Sequence, residues 1–125
     1  MNFDQTQEFV KEFKKFNKKW RSLSEDFEVF KNAVTTIYID TNRSSALHVR
    51  ETFFATKKAA VLRSITESKE VIKVRLDCRD LNKDMLRVIF IRIGNDILLI
   101  ELYSKNEKDR EDVGRINKYL KIIDI

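Results

Sequence analysis

The chain of 125 residues has no proline, two glycines, one cysteine and one histidine. Each shortage removes something. A single cysteine cannot form an internal disulfide, and it suits a reducing cytoplasm. One Cys and one His cannot build a zinc site from those ligand types. With no proline and so little glycine there is no visible linker, repeat or low-complexity segment, so residues 1–125 read as a single domain. No apolar run approaches the length of a membrane span. The first residues, MNFDQTQEF, lack the basic start and apolar run of a secretory signal. The expectation is therefore a cytoplasmic protein with no membrane partner and no metal.

What is present argues for a packed core. The apolar fraction is 42% with nine Phe, which excludes the disordered class. The formal net charge is +5 and the isoelectric point near 9.3. A modestly basic small domain leans toward an anionic partner, whether nucleic acid, a membrane surface or an acidic protein; solubility alone is the plainer reading.

Residues 71–103 carry the strongest pattern. Three apolar runs, 71–78, 86–93 and 97–103, are separated by polar turns and read as strands. Gly94-Asn95 between the last two is a hairpin signal. In the first run Ile72, Val74, Leu76 and Cys78 fall on one face, and Lys73, Arg75 and Asp77 on the other. Two cations thus project from a half-buried strand. The second run opens with Arg87 and is then apolar on both faces, as a central strand covered on both sides is.

Helices flank this sheet. Phe9, Phe13, Phe16 and Trp20 are spaced four, three and four within residues 5–20, one apolar stripe. Lys11, Lys14, Lys15, Lys18 and Lys19 cover the remainder and read as a solvated face. Ser22-Leu23-Ser24-Glu25 has capping-box spacing and opens a second helix over 24–37, with Phe27, Phe30, Val34 and Ile37 on one stripe. So short a joint predicts an antiparallel helix hairpin that covers the sheet. Residues 1–4 can add a short edge strand. Residues 38–70 show no clean period and read as a connection with one or two short elements. His48, with no evident acidic orienter, reads as a surface or packing residue. A last helix is expected over 107–121 from Val113, Ile116 and Leu120, and the tail Ile122-Ile123-Asp124-Ile125 is expected to dock on the body. The fold class is α+β.

The chemistry-bearing residues are few. There is no glycine-rich phosphate loop, and one His supports no nucleophile–base pair near a plausible nucleophile. What remains are cations on strands (Lys73, Arg75, Arg87), the nearby Arg79 and Lys83, Glu101 and Tyr103 on one face of the third strand, and the run Ser104-Lys105-Asn106-Glu107-Lys108. Clustered Lys and Arg can hold a phosphodiester and stabilise a phosphorane-like transition state without a metal. A lysine whose pKa is depressed by neighbouring cations could act as the base. The plainer reading is that these charges solvate an open sheet face, and on pattern alone it weighs more.

The order of helix hairpin, strand with IKVRL, strand opening LRVIF, turn, and LLIELYSKNEKDRED resembles the RelE/ParE superfamily of bacterial type II toxins. The early FVKEFKKFNKKWRSLSEDF resembles that group's helix hairpin. The likeness spans about residues 3–121, with 38–70 poorly covered. It implies a RelE-like fold: an N-terminal helix hairpin packed on a small, twisted, mainly antiparallel sheet, with a C-terminal helix. It implies the toxin of a type II pair, a ribosome-dependent mRNA endoribonuclease with no cofactor. On this resemblance Lys73 and Arg75 take the two basic positions of the first central strand, Arg87 the arginine opening the next, and Lys105, with Lys108 as the alternative, the basic residue after the last strand. The implied step is attack of a ribose 2′-hydroxyl on the adjacent phosphate, with Arg75 and Arg87 stabilising charge and Lys73 helping as base. Arg79, Lys83, Lys108 and Tyr103 are expected to contact RNA. The His-Tyr or catalytic Tyr found near the C-terminus of several ribonuclease members has no evident counterpart. The implied partners are a cognate antitoxin, which lays an acidic or amphipathic segment across the basic surface, and mRNA on the ribosome. The alternative within the superfamily is a ParE-like inhibitor of DNA gyrase, or an inert binding module of the same fold.

Overall fold

A computed structural model describes residues 1–39, 59–81 and 86–123 of the chain. Lys83 and His48 lie outside the described residues, as does most of the connection that the sequence left without a period. The elements run β1 (Asn2–Gln5), α1 (Gln7–Lys19), α2 (Leu23–Ile39), β2 (Ala59–Thr66), β3 (Lys69–Leu76), β4 (Leu86–Ile93), β5 (Asp96–Ser104) and α3 (Val113–Ile123). The class is α+β. The strands form one mixed sheet in the order β1-β5-β4-β3-β2, antiparallel throughout except that β1 lies parallel to β5.

Two apolar layers hold the sheet. On one face the stripes of α1 and α2 meet Ile72, Val74, Leu76, Val88, Phe90, Ile97 and Leu99. Aromatic contacts carry this layer inward: Phe9 and Phe13 stand 5.7 and 5.2 Å from Phe27, Phe27 stands 5.3 Å from Phe30, and Phe30 meets Phe90 edge-on at 6.2 Å. On the other face α3 sets Ile116 and Leu120 against Val71, Ile89, Ile91 and Ile100. β4 is therefore covered on both sides, and Leu86 to Ile91 are all buried, as its unbroken apolar run requires.

Local signals explain the ends. The Thr6 hydroxyl accepts from the Phe9 N–H at 3.1 Å and caps α1. Gly94 sits at φ +59° in the β4–β5 turn, a conformation that side chains disfavour, and its N–H donates to the Ser68 carbonyl at 2.7 Å. At the start of α2 the expected capping box is replaced by tertiary bonds. The Ser22 N–H donates to Asp80, the Ser22 hydroxyl donates to Asp26 at 2.8 Å, and Glu25 pairs with Arg79 instead.

Three expectations change. Within the connection expected to hold one or two short elements, residues 59–66 form a full eight-residue edge strand, with bulges between Val61 and Arg63 and between Ser64 and Thr66. The last helix starts at Val113, not 107, because Asp112 caps it: the Arg115 N–H donates to Asp112 Oδ1 at 3.0 Å. Of the tail, Ile123 packs against the second layer while Ile122 is exposed; residues 124–125 lie outside the described range.

Candidate functional site

The site follows from the register of three strands. Lys73 pairs with Ile89 and Ile89 with Glu101; Arg75 pairs with Arg87 and Arg87 with Tyr103. Side chains in such rows share a face, here the face that carries α3. One detail puts Glu101 and Tyr103 there. β5 takes an extra residue at Ile100 between the Ile89 and Phe90 pairings. Before it, Ile97 and Leu99 belong to the α1–α2 layer; after it, Tyr103 belongs to the α3 layer. The bulge switches the parity of the strand and aims two chemistry-bearing residues at the cations.

Tyr103 is the floor of the cluster. Its ring is buried, and the ammonium groups of Lys73 and Lys108 lie 5.8 and 5.2 Å from the ring centroid. Its hydroxyl is buried beside Lys73, with which it interacts without forming a well-aligned hydrogen bond. Arg87 is only 8% exposed; its guanidinium donates to the Leu86 carbonyl at 3.1 Å. Arg75, directly opposite, is exposed.

Two carboxylates face these four cations. Glu101, fully buried, pairs with Lys108 and accepts from the Asp112 N–H at 2.9 Å. Glu111 accepts from Lys73 at 3.1 Å. Burial alone would lower the Lys73 ammonium, but Tyr103 and Glu111 outweigh it and hold its pKa above the ordinary lysine value. That is opposite to the direction a base needs. Burial likewise pushes Glu111 up, yet its backbone hydrogen bond and Lys73 bring it below the usual carboxylate range.

The remaining expected residues are placed apart from the row. Lys105 turns back to the Asp109 carbonyl at 2.8 Å, within its own loop. Arg79 lies toward the other layer, with Nε on Asp26 at 2.8 Å and a terminal nitrogen on Glu25 at 2.5 Å. Arg92, close in sequence to the others, faces α2: it pairs with Glu70 at 2.9 Å and stacks on Tyr38 at 4.6 Å. Sequence reasoning missed Glu111, which was read as part of a helix and lies far along the chain from its partner.

The segment after β5 is tied down along α1. Glu12 accepts from the Leu102 N–H and from Arg115, at 3.1 and 2.9 Å; Arg115 also donates to the Ile100 carbonyl at 3.1 Å. These bonds serve the stretch of β5 that β1 leaves unpaired. Burial pushes Glu12 up despite Arg115. A hollow of about 120 Å³ opens here, lined by Lys15, Phe16, Tyr103, Glu107 and Lys108 among others. A larger hollow of about 370 Å³ lies between α2 and the end of β3. Val29, Phe30, Ala33, Val74 and Leu76 give it an apolar floor, and Arg75, Asp77 and Arg79 also line it; of its three acids, Glu25 and Asp26 are bonded to Arg79.

No described helix is long and apolar enough to cross a membrane. Searches against family models, curated proteins and solved structures return no match to this chain.

Proposed function

We propose that this chain is the toxin of a type II toxin–antitoxin pair, an endoribonuclease that cuts mRNA on the ribosome. The observation that carries the reading is the cross-strand pair Arg75–Arg87, flanked by Lys73 and Tyr103 on buried strands. Two arginines directly opposite each other on one sheet face can reach a single phosphate together. Arg is also the side chain that grips phosphate with two parallel bonds. The resemblance to RelE-like toxins, in the order of helix hairpin and strands, supports the same reading.

In this reaction the ribose 2′-hydroxyl gives its proton to water as its oxygen attacks the adjacent phosphorus, and the bond to the 5′-oxygen breaks to leave a 2′,3′-cyclic phosphate and a protonated 5′-hydroxyl. Negative charge builds on the non-bridging oxygens, where Arg75 and Arg87 stabilise it; fixed donors of this kind are worth about 10²–10³ in rate apiece. Lys73, held protonated, binds phosphate or gives a proton to the leaving oxygen; it does not take one. Glu111 is the group the substrate phosphate displaces from Lys73. The fitting protein partner is an antitoxin whose acidic or amphipathic segment covers the same row.

The test is induced expression in bacteria with mapping of mRNA 5′ ends, wild type against Arg87→Ala. New ends within translated codons, in wild type only, are expected. A second reading, a non-catalytic module that inhibits DNA gyrase or pairs with another protein, is favoured by one observation: Lys73 and Lys108 already have carboxylate partners. It predicts growth arrest with DNA-damage signalling and no new 5′ ends.

A further inference from the structure

Helix α1 carries a second cationic surface, on the side away from its aromatic stripe. Lys11, Lys14, Lys15, Lys18 and Lys19 fall within one arc of the helix, and Lys11, Lys14, Lys18 and Lys19 are exposed. The two acids of the helix, Glu8 and Glu12, are both committed to α3, through Lys118, Tyr119 and Arg115. Among the described residues only Lys15 of these has an acidic partner, Glu107 at 2.9 Å, and both ends of that pair are about half exposed. Cations in the last turn complement the helix dipole, which accounts for Lys18 and Lys19 but not for Lys11 and Lys14. Like charges three and four residues apart disfavour the helix. Lys15 and Lys19 also lie 5.0 Å from the ring centroids of Phe16 and Trp20, so Lys11 and Lys14 are the two that folding leaves unexplained.

The stripe is continuous with the sheet site. Lys15 and Lys108 line the same hollow, and Tyr103 forms part of its wall. A track of cations thus runs from the Arg75–Arg87 row past Lys108 and Lys15 onto Lys11, Lys14 and Lys18. We infer that the lysine face of α1 binds the phosphate backbone of RNA flanking the cleavage site. This rests on reading the sheet site as one for RNA. Contacts of this kind position a strand without reading its sequence.

The experiment compares wild type, the triple variant Lys11→Gln/Lys14→Gln/Lys18→Gln, and a charge-matched control, Arg63→Gln/Lys69→Gln/Lys121→Gln. Arg63 and Lys69 lie on β2 and β3, toward the opposite edge of the sheet. Gln keeps the helix propensity and the length of the stem. Affinity for a 20-nucleotide oligouridylate is measured from about 50 to 200 mM salt. Each backbone contact on a single strand adds about 0.7 to the slope of log affinity against log salt. The triple variant is expected to lose about 2 from that slope, with the control close to wild type. An unchanged slope in the triple variant, an equal loss in the control, or no binding by wild type overturns the inference. Cleavage of ribosome-bound mRNA by wild type and Arg87→Ala is scored in parallel. Arg87-dependent cleavage beside an unchanged slope would overturn the α1 surface alone and leave the site reading standing.

Discussion

Tyr103 is the residue where packing and chemistry meet. Its ring carries two ammonium groups, and its hydroxyl is buried. Lys73 is its neighbour, but no well-aligned hydrogen bond offsets the burial of that hydroxyl, a cost of roughly 1–3 kcal/mol. Tyr103→Phe keeps the ring and removes the group. For stability alone it should be neutral or raise the melting temperature by a few degrees. If the hydroxyl meets substrate, cleavage should fall at the same time. A clear loss of melting temperature would show that the hydroxyl is satisfied after all. Lys73 and Arg87 were recognisable from alternation and from the cation that opens an apolar strand. Glu111 was not, because nothing local marks a carboxylate as the partner of a lysine far away in sequence.

At the scale of elements, α3 and the loop before it are held by ion pairs as much as by Ile116 and Leu120. Arg115 and Glu12 are each mostly buried, with side chains 16% and 23% exposed. Arg115→Ala leaves Glu12 without its ion-pair partner and the Ile100 carbonyl without that donor. A loss of about 2 kcal/mol is expected, below the range for fully buried pairs, read as a lower denaturation midpoint with an unchanged slope. A loss under about 0.5 kcal/mol would mean that the helix docks by its apolar face alone. The outer pair gives a pH signature. Hydrogen bonds from Tyr119 and then Lys118 lower Glu8 to about 2 from its ordinary 4.5. A depressed carboxylate adds stability that is present above its unfolded pKa and lost as pH falls through the folded one. Thermal stability should therefore decline between about pH 4.5 and 2, and Glu8→Gln should flatten that decline. Glu12, shifted up, acts in the opposite direction.

The same scale separates the legible from the illegible. α1, α2 and β3 were readable because each puts its apolar residues on a regular period, and β4 and β5 because each is a strongly apolar run bounded by polar turns. β2 was not, since two bulges break its alternation and only Ala59 of its eight residues is buried. The bulge at Ile100 was equally hidden, yet it decides which face Tyr103 and Glu101 occupy. The start of α3 had a usable signal in Asp112, a strong N-cap residue; reading the apolar period back to 107 ignored it.

For the whole molecule, the sheet is a divider between two kinds of work. The α1–α2 face is the deeper apolar layer. The α3 face has a thinner apolar layer and, at its end, the cation row. Net charge of +5 is spread unevenly, because Arg79 and Arg92 are used in structural pairs while Lys11, Lys14, Lys18 and Lys19 are exposed on α1. That distribution fits a protein whose anionic partner runs along one side, from the row to the first helix.

The most direct test of the site is made with purified components. Programmed ribosomes carrying a defined mRNA are mixed with wild type or Arg87→Gln, which keeps much of the buried stem but not the charge. Both proteins are first compared by thermal melt. The account predicts cleavage by wild type and a rate lower by about 10² or more in the folded variant. Intact mRNA with wild type, or equal rates for the two proteins, would contradict it.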